Sequence, residues 1–134
     1  MNNMNKGIIG ACALIGVFLA GFVPQYVKAN RVENELRQAR QANASAELRD
    51  LAALAYVQAN QKNYGLAAET TTRFFSRVHE VANQTADPNS KKALEGLLVS
   101  RDEITAELAR GDAGVMGGLQ ELFAKARQVT GGEQ

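Results

Sequence analysis

The sequence predicts an all-α protein in which an N-terminal transmembrane helix continues into a helical stalk and then into a small antiparallel helical bundle. Two observations lead to this fold class. Residues 7–27 carry no charged side chain, and four later segments place apolar residues at helical spacing. No segment alternates apolar and polar residues as a half-buried strand does. The 134 residues fit one small domain in addition to the membrane segment.

The uncharged run from Gly7 to Val27 is the core of the predicted membrane anchor, residues 1–28. An α-helix rises about 1.5 Å per residue, so this run covers roughly 30 Å, which is about the thickness of the hydrocarbon core of a bilayer. Within it, small residues recur every four positions and predict a face on which a second membrane helix packs closely. These residues are Cys12, Gly16 and Ala20.

A cleavable signal peptide is an alternative interpretation of the same segment. Lys6 is then the basic n-region, and cleavage after Ala29 releases an exported soluble protein. For the uncleaved anchor, we expect a bacterial inner membrane. More cations follow the span than precede it, which by the positive-inside rule favours a bundle on the cytoplasmic side. The cations that follow it are Lys28, Arg31, Arg37 and Arg40.

Residues 29–47 form the predicted stalk, because they contain no Gly or Pro and are rich in helix-forming side chains. A thin apolar seam follows one face at spacings of four, three and seven, with Asn43 in the remaining position. The seam consists of Val32, Leu36, Ala39 and Ala46. Glu33 and Arg37 are expected to pair on the helix surface, and Glu47 is expected to pair with a neighbouring segment. The seam is a candidate surface for coiled-coil dimerisation.

Residues 48–129 are predicted to form the bundle from four amphipathic segments joined by short loops. Their apolar stripes begin at Leu48, Ala67, Leu94 and Val115. Asn63-Tyr64-Gly65 carries turn residues, with Asn63 as a helix cap. Asp87-Pro88 and Gly111-Asp112 supply further caps and helix ends. We expect residues 130–134 to be a disordered tail.

One part of the bundle resembles a tetratricopeptide helical hairpin. The resemblance covers about residues 48–79 and rests on small and aromatic side chains. They are Ala55-Tyr56, Asn63-Tyr64 followed by Ala67, and Phe74-Phe75. The resemblance implies a hairpin that binds another protein and has no enzymatic role.

The remaining chemistry also favours binding over catalysis. His79 is the only histidine, and one Cys excludes a disulfide framework and a four-cysteine zinc site. We therefore expect no enzymatic activity, no cofactor and no metal site. With 15 basic and 14 acidic side chains, the net charge does not favour nucleic acid as a partner.

The sequence thus predicts a single-pass membrane-anchored module for protein interaction or assembly, such as an accessory subunit of a larger membrane complex. Its expected partners are membrane lipid and either another protein or a second copy of the chain. Phe74 and Phe75 are adjacent and do not both fit the centre of one narrow stripe, so one of them is expected to contact a partner. Tyr64 is the third candidate. The alternative is the exported soluble bundle, binding a small ligand or a metal.

Overall fold

The structure, a computed structural model, describes the backbone of residues 3–131 and the side chains of Cys12, Val17 and residues 27–131. These residues form an all-α fold, as predicted, and no strand occurs among them. The helices are α1 (Asn3–Asn60), α2 (Tyr64–Gln84), α3 (Pro88–Gly96), a 3₁₀ turn (Leu97–Ser100), α4 (Arg101–Arg110) and α5 (Val115–Thr130).

The chain divides within α1 into two compact units, Met1–Gln41 and Ala42–Gln134. In the first unit, every described side chain from residue 27 onward is exposed. In the second unit, burial begins at Ala44, and Leu48 is completely buried. The hydrophobic core therefore reaches back into residues that the sequence assigned to the stalk.

The predicted membrane anchor lies mostly outside the residues whose side chains the structure describes. The exceptions within residues 7–27 are Cys12, Val17 and Val27, all of them exposed. For Gly16 and Ala20, two members of the predicted packing face, the structure describes the backbone alone. In the described part of the chain, no helix combines the length and the apolar character needed to cross a membrane. The transmembrane helix stays a prediction.

In the second unit, α1 lies between α2 and α5 and runs antiparallel to both. Arg77 Nε of α2 donates a hydrogen bond to Glu47 Oε2 of α1 over 2.8 Å. Arg49 Nη1 of α1 donates to the carbonyl oxygen of Thr130, the last residue of α5, over 3.3 Å. The beginning of the buried part of α1 therefore lies beside the end of α5. The predicted pairing of Glu47 with a neighbouring segment is confirmed.

Two glycines show that α4 is also antiparallel to its neighbours. A Cβ atom at Gly111, which follows α4, would lie 3.6 Å from Cδ2 of Tyr64, the first residue of α2. A Cβ atom at Gly118 in α5 would lie 3.3 Å from Cγ1 of Ile104 in α4. The four predicted segments thus form the antiparallel bundle, with the α1–α2 turn and the α4–α5 turn at the same end.

The core of the bundle is built from the apolar faces of all these segments. Its largest fully buried side chains are Phe74, Leu48, Leu97, Ile104, Leu119, Leu122, Val78 and Val115. Burial of each such Val, Leu, Ile or Phe side chain stabilises the fold by about 1.5–3 kcal/mol relative to leaving it exposed. This burial offsets the conformational entropy that the chain loses on folding.

Local capping chemistry sets most helix ends where the sequence predicts them. Asn63 Oδ1 accepts a hydrogen bond from the Leu66 backbone N–H over 3.4 Å, and Asp87 Oδ2 accepts one from the Ser90 N–H over 2.7 Å. Hydrogen bonds from the Ser90 side chain and backbone lower the pKa of Asp87 below its ordinary value. Gly111 ends α4 in the left-handed conformation, with φ of 62°.

Three details of the bundle differ from the expectation. The α1–α2 turn is residues 61–63, with Lys62 in the left-handed region at φ 60°, so Tyr64 already begins α2. The third segment is broken at Leu97–Ser100 into a 3₁₀ turn, which follows Gly96, a weak helix former. Thr130, assigned from the sequence to the disordered tail, is the last residue of α5.

The start of α5 also differs from the predicted capping. Asp112 Oδ1 accepts a hydrogen bond from the Gly114 N–H over 2.8 Å and thereby shapes the turn that precedes the helix. The helix itself begins at Val115, and its N-cap residue Gly114 has no side chain with which to cap it. Asp112 therefore organises the α4–α5 turn rather than capping α5 directly.

Candidate functional site

A groove of about 620 Å³ lies between α2 and the segment formed by the 3₁₀ turn and α4. We call it the α2–α4 groove. From α2 it is lined by Thr72, Phe75, Ser76 and His79, and from the other side by Leu98, Arg101, Asp102, Thr105, Ala106 and Ala109.

Helical periodicity explains why these residues line a groove. Thr72, Ser76 and His79 recur at spacings of four and three, so they share one face of α2. Ala106 and Ala109 likewise share a face of α4. The distance at which another helix can pack depends on the size of the side chains at the contact, and most of these are small. The groove therefore keeps room for a further segment beside the two helices.

The two adjacent phenylalanines are both buried in the single chain, and the expected contact of one of them with a partner stays a prediction. Phe74 is fully buried, and Phe75 keeps 4% of its surface exposed. Their rings pack edge to face, with centroids 5.3 Å apart and an angle of 73° between the planes. The stripe on α2 is wider than the sequence suggested, because α1 covers one side of this helix and α4 lies on the other. Phe75 lines the groove, whereas Phe74 belongs to the core alone.

Tyr64, the third predicted contact residue, lies away from the groove. It is half-buried at the start of α2, where its ring packs beside Gly111. Eleven residues separate it from Phe75, which corresponds to about 16 Å along the helix axis. The structure therefore does not bring the three predicted partner-binding residues into one site, and their role in binding stays a prediction.

The groove does bring together three side chains that the sequence analysis did not group. Ser76 and His79 are three residues apart on α2, a spacing that is visible in the sequence, while Asp102 comes from α4. A catalytic triad requires hydrogen bonds from nucleophile to base and from base to acid. Among the described residues no hydrogen bond joins these three side chains. Asp102 instead accepts a hydrogen bond from Arg101 Nε over 3.1 Å, and its side chain is 90% exposed.

One charged network outside the groove joins two helices and is centred on Arg77. Arg77 bonds Glu80 Oε2 over 2.8 Å through Nη1 and Glu47 Oε2 over the same distance through Nε. These hydrogen bonds to Glu80 and Glu47 raise the pKa of Arg77 above its ordinary value, so the guanidinium stays charged. The network connects α1 to α2. Among the side chains that the structure describes, no three His, Cys, Asp or Glu are grouped to hold a metal ion.

A second accessible surface consists of residues 27–43 of α1, which include the end of the first unit and the first two residues of the second. Every side chain in this segment is exposed, including Val32 at 63% and Leu36 at 49%. Within the described residues its charged side chains form no ion pair, and the predicted pairing of Glu33 with Arg37 is absent. Three members of the predicted seam, Val32, Leu36 and Ala39, are thus exposed, whereas the fourth, Ala46, is half-buried.

The lining of the α2–α4 groove combines apolar and polar side chains. Phe75 and Leu98 offer apolar contact, Thr72, Ser76 and Thr105 offer hydroxyl groups, and charged side chains lie beside them.

Comparisons with protein-family models, with curated proteins and with solved structures find no match for this chain.

Proposed function

We propose that this protein is a single-pass membrane-anchored module that binds another protein through the α2–α4 groove, as an accessory subunit of a larger membrane complex. The proposal includes no catalytic activity and no cofactor. The uncharged run of residues 7–27 supports the anchor. The resemblance of residues 48–79 to a tetratricopeptide hairpin supports the binding role.

The groove is the observation that carries the binding proposal. An amphipathic helix binds a groove by placing apolar side chains at i, i+3 or i+4, and i+7 against its floor. Phe75 and Leu98 supply an apolar floor, and Ala106 and Ala109 leave space for the backbone of such a helix. We therefore propose an amphipathic helix of a partner protein as the occupant. Small helical domains bury a limited fraction of their surface, so a docked helix also stabilises the bundle.

Site-specific photo-crosslinking tests the groove directly. A photoreactive amino acid in place of Ala106 samples the groove, and one in place of the exposed Gln120 on α5 is the matched control. We expect the Ala106 position to form one defined crosslinked product in intact cells and the Gln120 position to form none. Adding Thr105→Arg, which fills the groove, is expected to abolish that product. Equal crosslinking at both positions would contradict the proposal.

The anchor and its side of the membrane are tested separately. We propose that the protein stays in the inner membrane of a bacterium, with the bundle on the cytoplasmic side that Lys28, Arg31, Arg37 and Arg40 favour. Carbonate extraction is expected to leave the chain in the membrane pellet, with an intact mass that includes residues 7–27. A reporter fused after Gln134 is expected to be active in the cytoplasm. Activity of the reporter only on the other side would reverse the topology.

The alternative function is an exported soluble bundle, cleaved after Ala29, that binds a small ligand or a metal. The volume of the groove favours the small ligand, because about 620 Å³ lies within the range of about 300–1,000 Å³ that is usual for ligand pockets. Intact mass spectrometry decides between the two proposals. A mature chain that begins at Asn30 and is recovered in the aqueous fraction supports the alternative and contradicts the anchor.

A further inference from the structure

We infer that residues 28–43 of α1 pair with the same residues of a second copy of this chain to form a parallel two-stranded coiled coil. This inference goes beyond the proposed function, because it concerns the stalk and names a second copy as its partner. It does not depend on what occupies the α2–α4 groove.

The segment is exposed along its whole length. All side chains from residue 27 to residue 43 are exposed, and no other helix in the described part of the chain covers them. A helix in water gains most of its stability from packing an apolar face, and α1 has such a face here without a neighbour. Val32 and Leu36 expose 63% and 49% of their surface in the single chain.

The heptad register of the segment fits a two-stranded coiled coil. Counting Ala29 as position a places apolar or uncharged side chains at every a and d position of the segment. In order, these are Ala29, Val32, Leu36, Ala39 and Asn43. A single Asn at an a position is a recognised way to fix register and a two-stranded state, at some cost in stability. Asn43 occupies this kind of position and is exposed in the single chain.

The charged side chains beside the seam complement one another in a parallel pair. The same register places Lys28 and Glu35 at g positions and Glu33 and Arg40 at e positions. In a parallel in-register pair, each g residue faces the e residue five positions further along the other helix. Lys28 then faces Glu33 of the second copy, and Glu35 faces Arg40. Two-fold symmetry doubles both contacts, so all the e–g pairs are attractive.

An antiparallel pairing fits these residues less well. If Val32 packed against Leu36 of an antiparallel copy, Glu33 would lie beside Glu33 and Glu35 beside Glu35. A shift by one heptad would remove this repulsion but would set Val32 against the polar Asn43. The parallel arrangement alone combines apolar contacts with attractive charges.

Disulfide crosslinking tests the geometry. The full chain is prepared in detergent with Cys12→Ser, and then with Leu36→Cys at the seam or Asn34→Cys on the opposite face as the matched control. A disulfide requires two Cα atoms within about 7 Å, which a parallel in-register pair provides at position 36 and not at position 34. We expect mild oxidation to link Leu36→Cys chains into dimers and to leave Asn34→Cys chains monomeric. Equal linking of both variants overturns the inference.

Charge exchange tests the specificity. Glu35→Lys and Arg40→Glu each turn two attractive contacts into repulsive ones, whereas the double variant restores attraction. By sedimentation of the full chain in detergent, we expect each single change to raise the dimer dissociation constant about tenfold and the double change to return it. Thr105→Arg in the groove should leave the dimer unchanged. The inference is overturned if the wild-type chain is monomeric or if Glu35→Lys does not change the dimer dissociation constant. Neither result affects the proposal of binding through the α2–α4 groove.

Discussion

Gly111 at the end of α4 allows a quantitative test of the bundle. Its φ of 62° lies in the left-handed region, which residues with a Cβ atom adopt only at a cost. A Cβ atom there would lie 3.6 Å from Cδ2 of Tyr64, an ordinary van der Waals contact. Gly111→Ala therefore introduces backbone strain without a steric clash. Its effect on the free energy of unfolding measures the cost of the left-handed backbone conformation.

The expected magnitude follows from two opposing contributions. The left-handed conformation costs an L-residue roughly 1–2 kcal/mol, and the loss of freedom in the unfolded chain returns about 0.4–1 kcal/mol. We expect Gly111→Ala to lower the free energy of unfolding by about 1 kcal/mol. Gly117→Ala is the matched control, because Gly117 lies inside α5 and, apart from its chain neighbours and the nearby backbone of its own helix, no described atom lies within 4 Å of the added Cβ. It should raise the free energy of unfolding by about 1 kcal/mol.

Urea unfolding of the full chain, followed by tyrosine fluorescence, is the appropriate measurement. All variants carry Tyr26→Phe, because Tyr26 belongs to the first unit. The two remaining tyrosines, Tyr56 and Tyr64, pack against the core and report on the second unit. The far-UV signal, in contrast, also includes the part of α1 that belongs to the first unit. We expect the two glycine variants to shift the urea concentration of half-unfolding in opposite directions. The dependence of the free energy of unfolding on urea concentration should stay unchanged. Shifts of the same sign would refute the assigned conformation of Gly111.

Three further predictions concern the core and one helix cap. Thr71→Val should raise the free energy of unfolding by about 1 kcal/mol, because the Thr71 hydroxyl is buried without a hydrogen-bond partner among the described residues. Thr72→Val is its control, since Thr72 is exposed, and urea titration compares the two. Phe74→Ala should lower the free energy of unfolding, measured by thermal melting, by about 3–5 kcal/mol. Val99→Ala, at a position that is 85% exposed, should change it little. Asp87→Ala should destabilise the bundle at neutral pH, because the lowered pKa of Asp87 means that the folded state favours its charged form. This stabilisation is present above the ordinary pKa of 3.8 and disappears as the pH falls through the lower pKa of the folded state, so melting curves of Asp87→Ala and wild type should converge in acid.

The features that the sequence predicted well are those that local chemistry determines. Asn63, Asp87 and Gly111 act on backbone groups within a few residues of themselves, so their roles are visible without knowledge of the tertiary structure. The all-α fold class follows in the same way from helical periodicity.

The features that the sequence did not predict depend on which helices become neighbours. Phe74 and Phe75 are both buried because α2 has neighbours on two sides, and one amphipathic stripe does not reveal this. The spacing of Ser76 and His79 is visible along α2, but only the packing of α4 adds Asp102 to the same groove. Lys62 adopts the left-handed conformation, which favours glycine, and a lysine at this position does not predict it.

The hydrogen bond between Arg49 and the carbonyl oxygen of Thr130 has a mechanical consequence. The buried part of α1 begins beside the last residue of α5. A force that pulls these two points of the chain apart would therefore act on two adjacent antiparallel helices at the same end of the bundle. Such a load separates the helices turn by turn, as in unzipping, and does not shear them along their whole length. The bundle should therefore yield to tension gradually, beginning at the contact between α1 and α5.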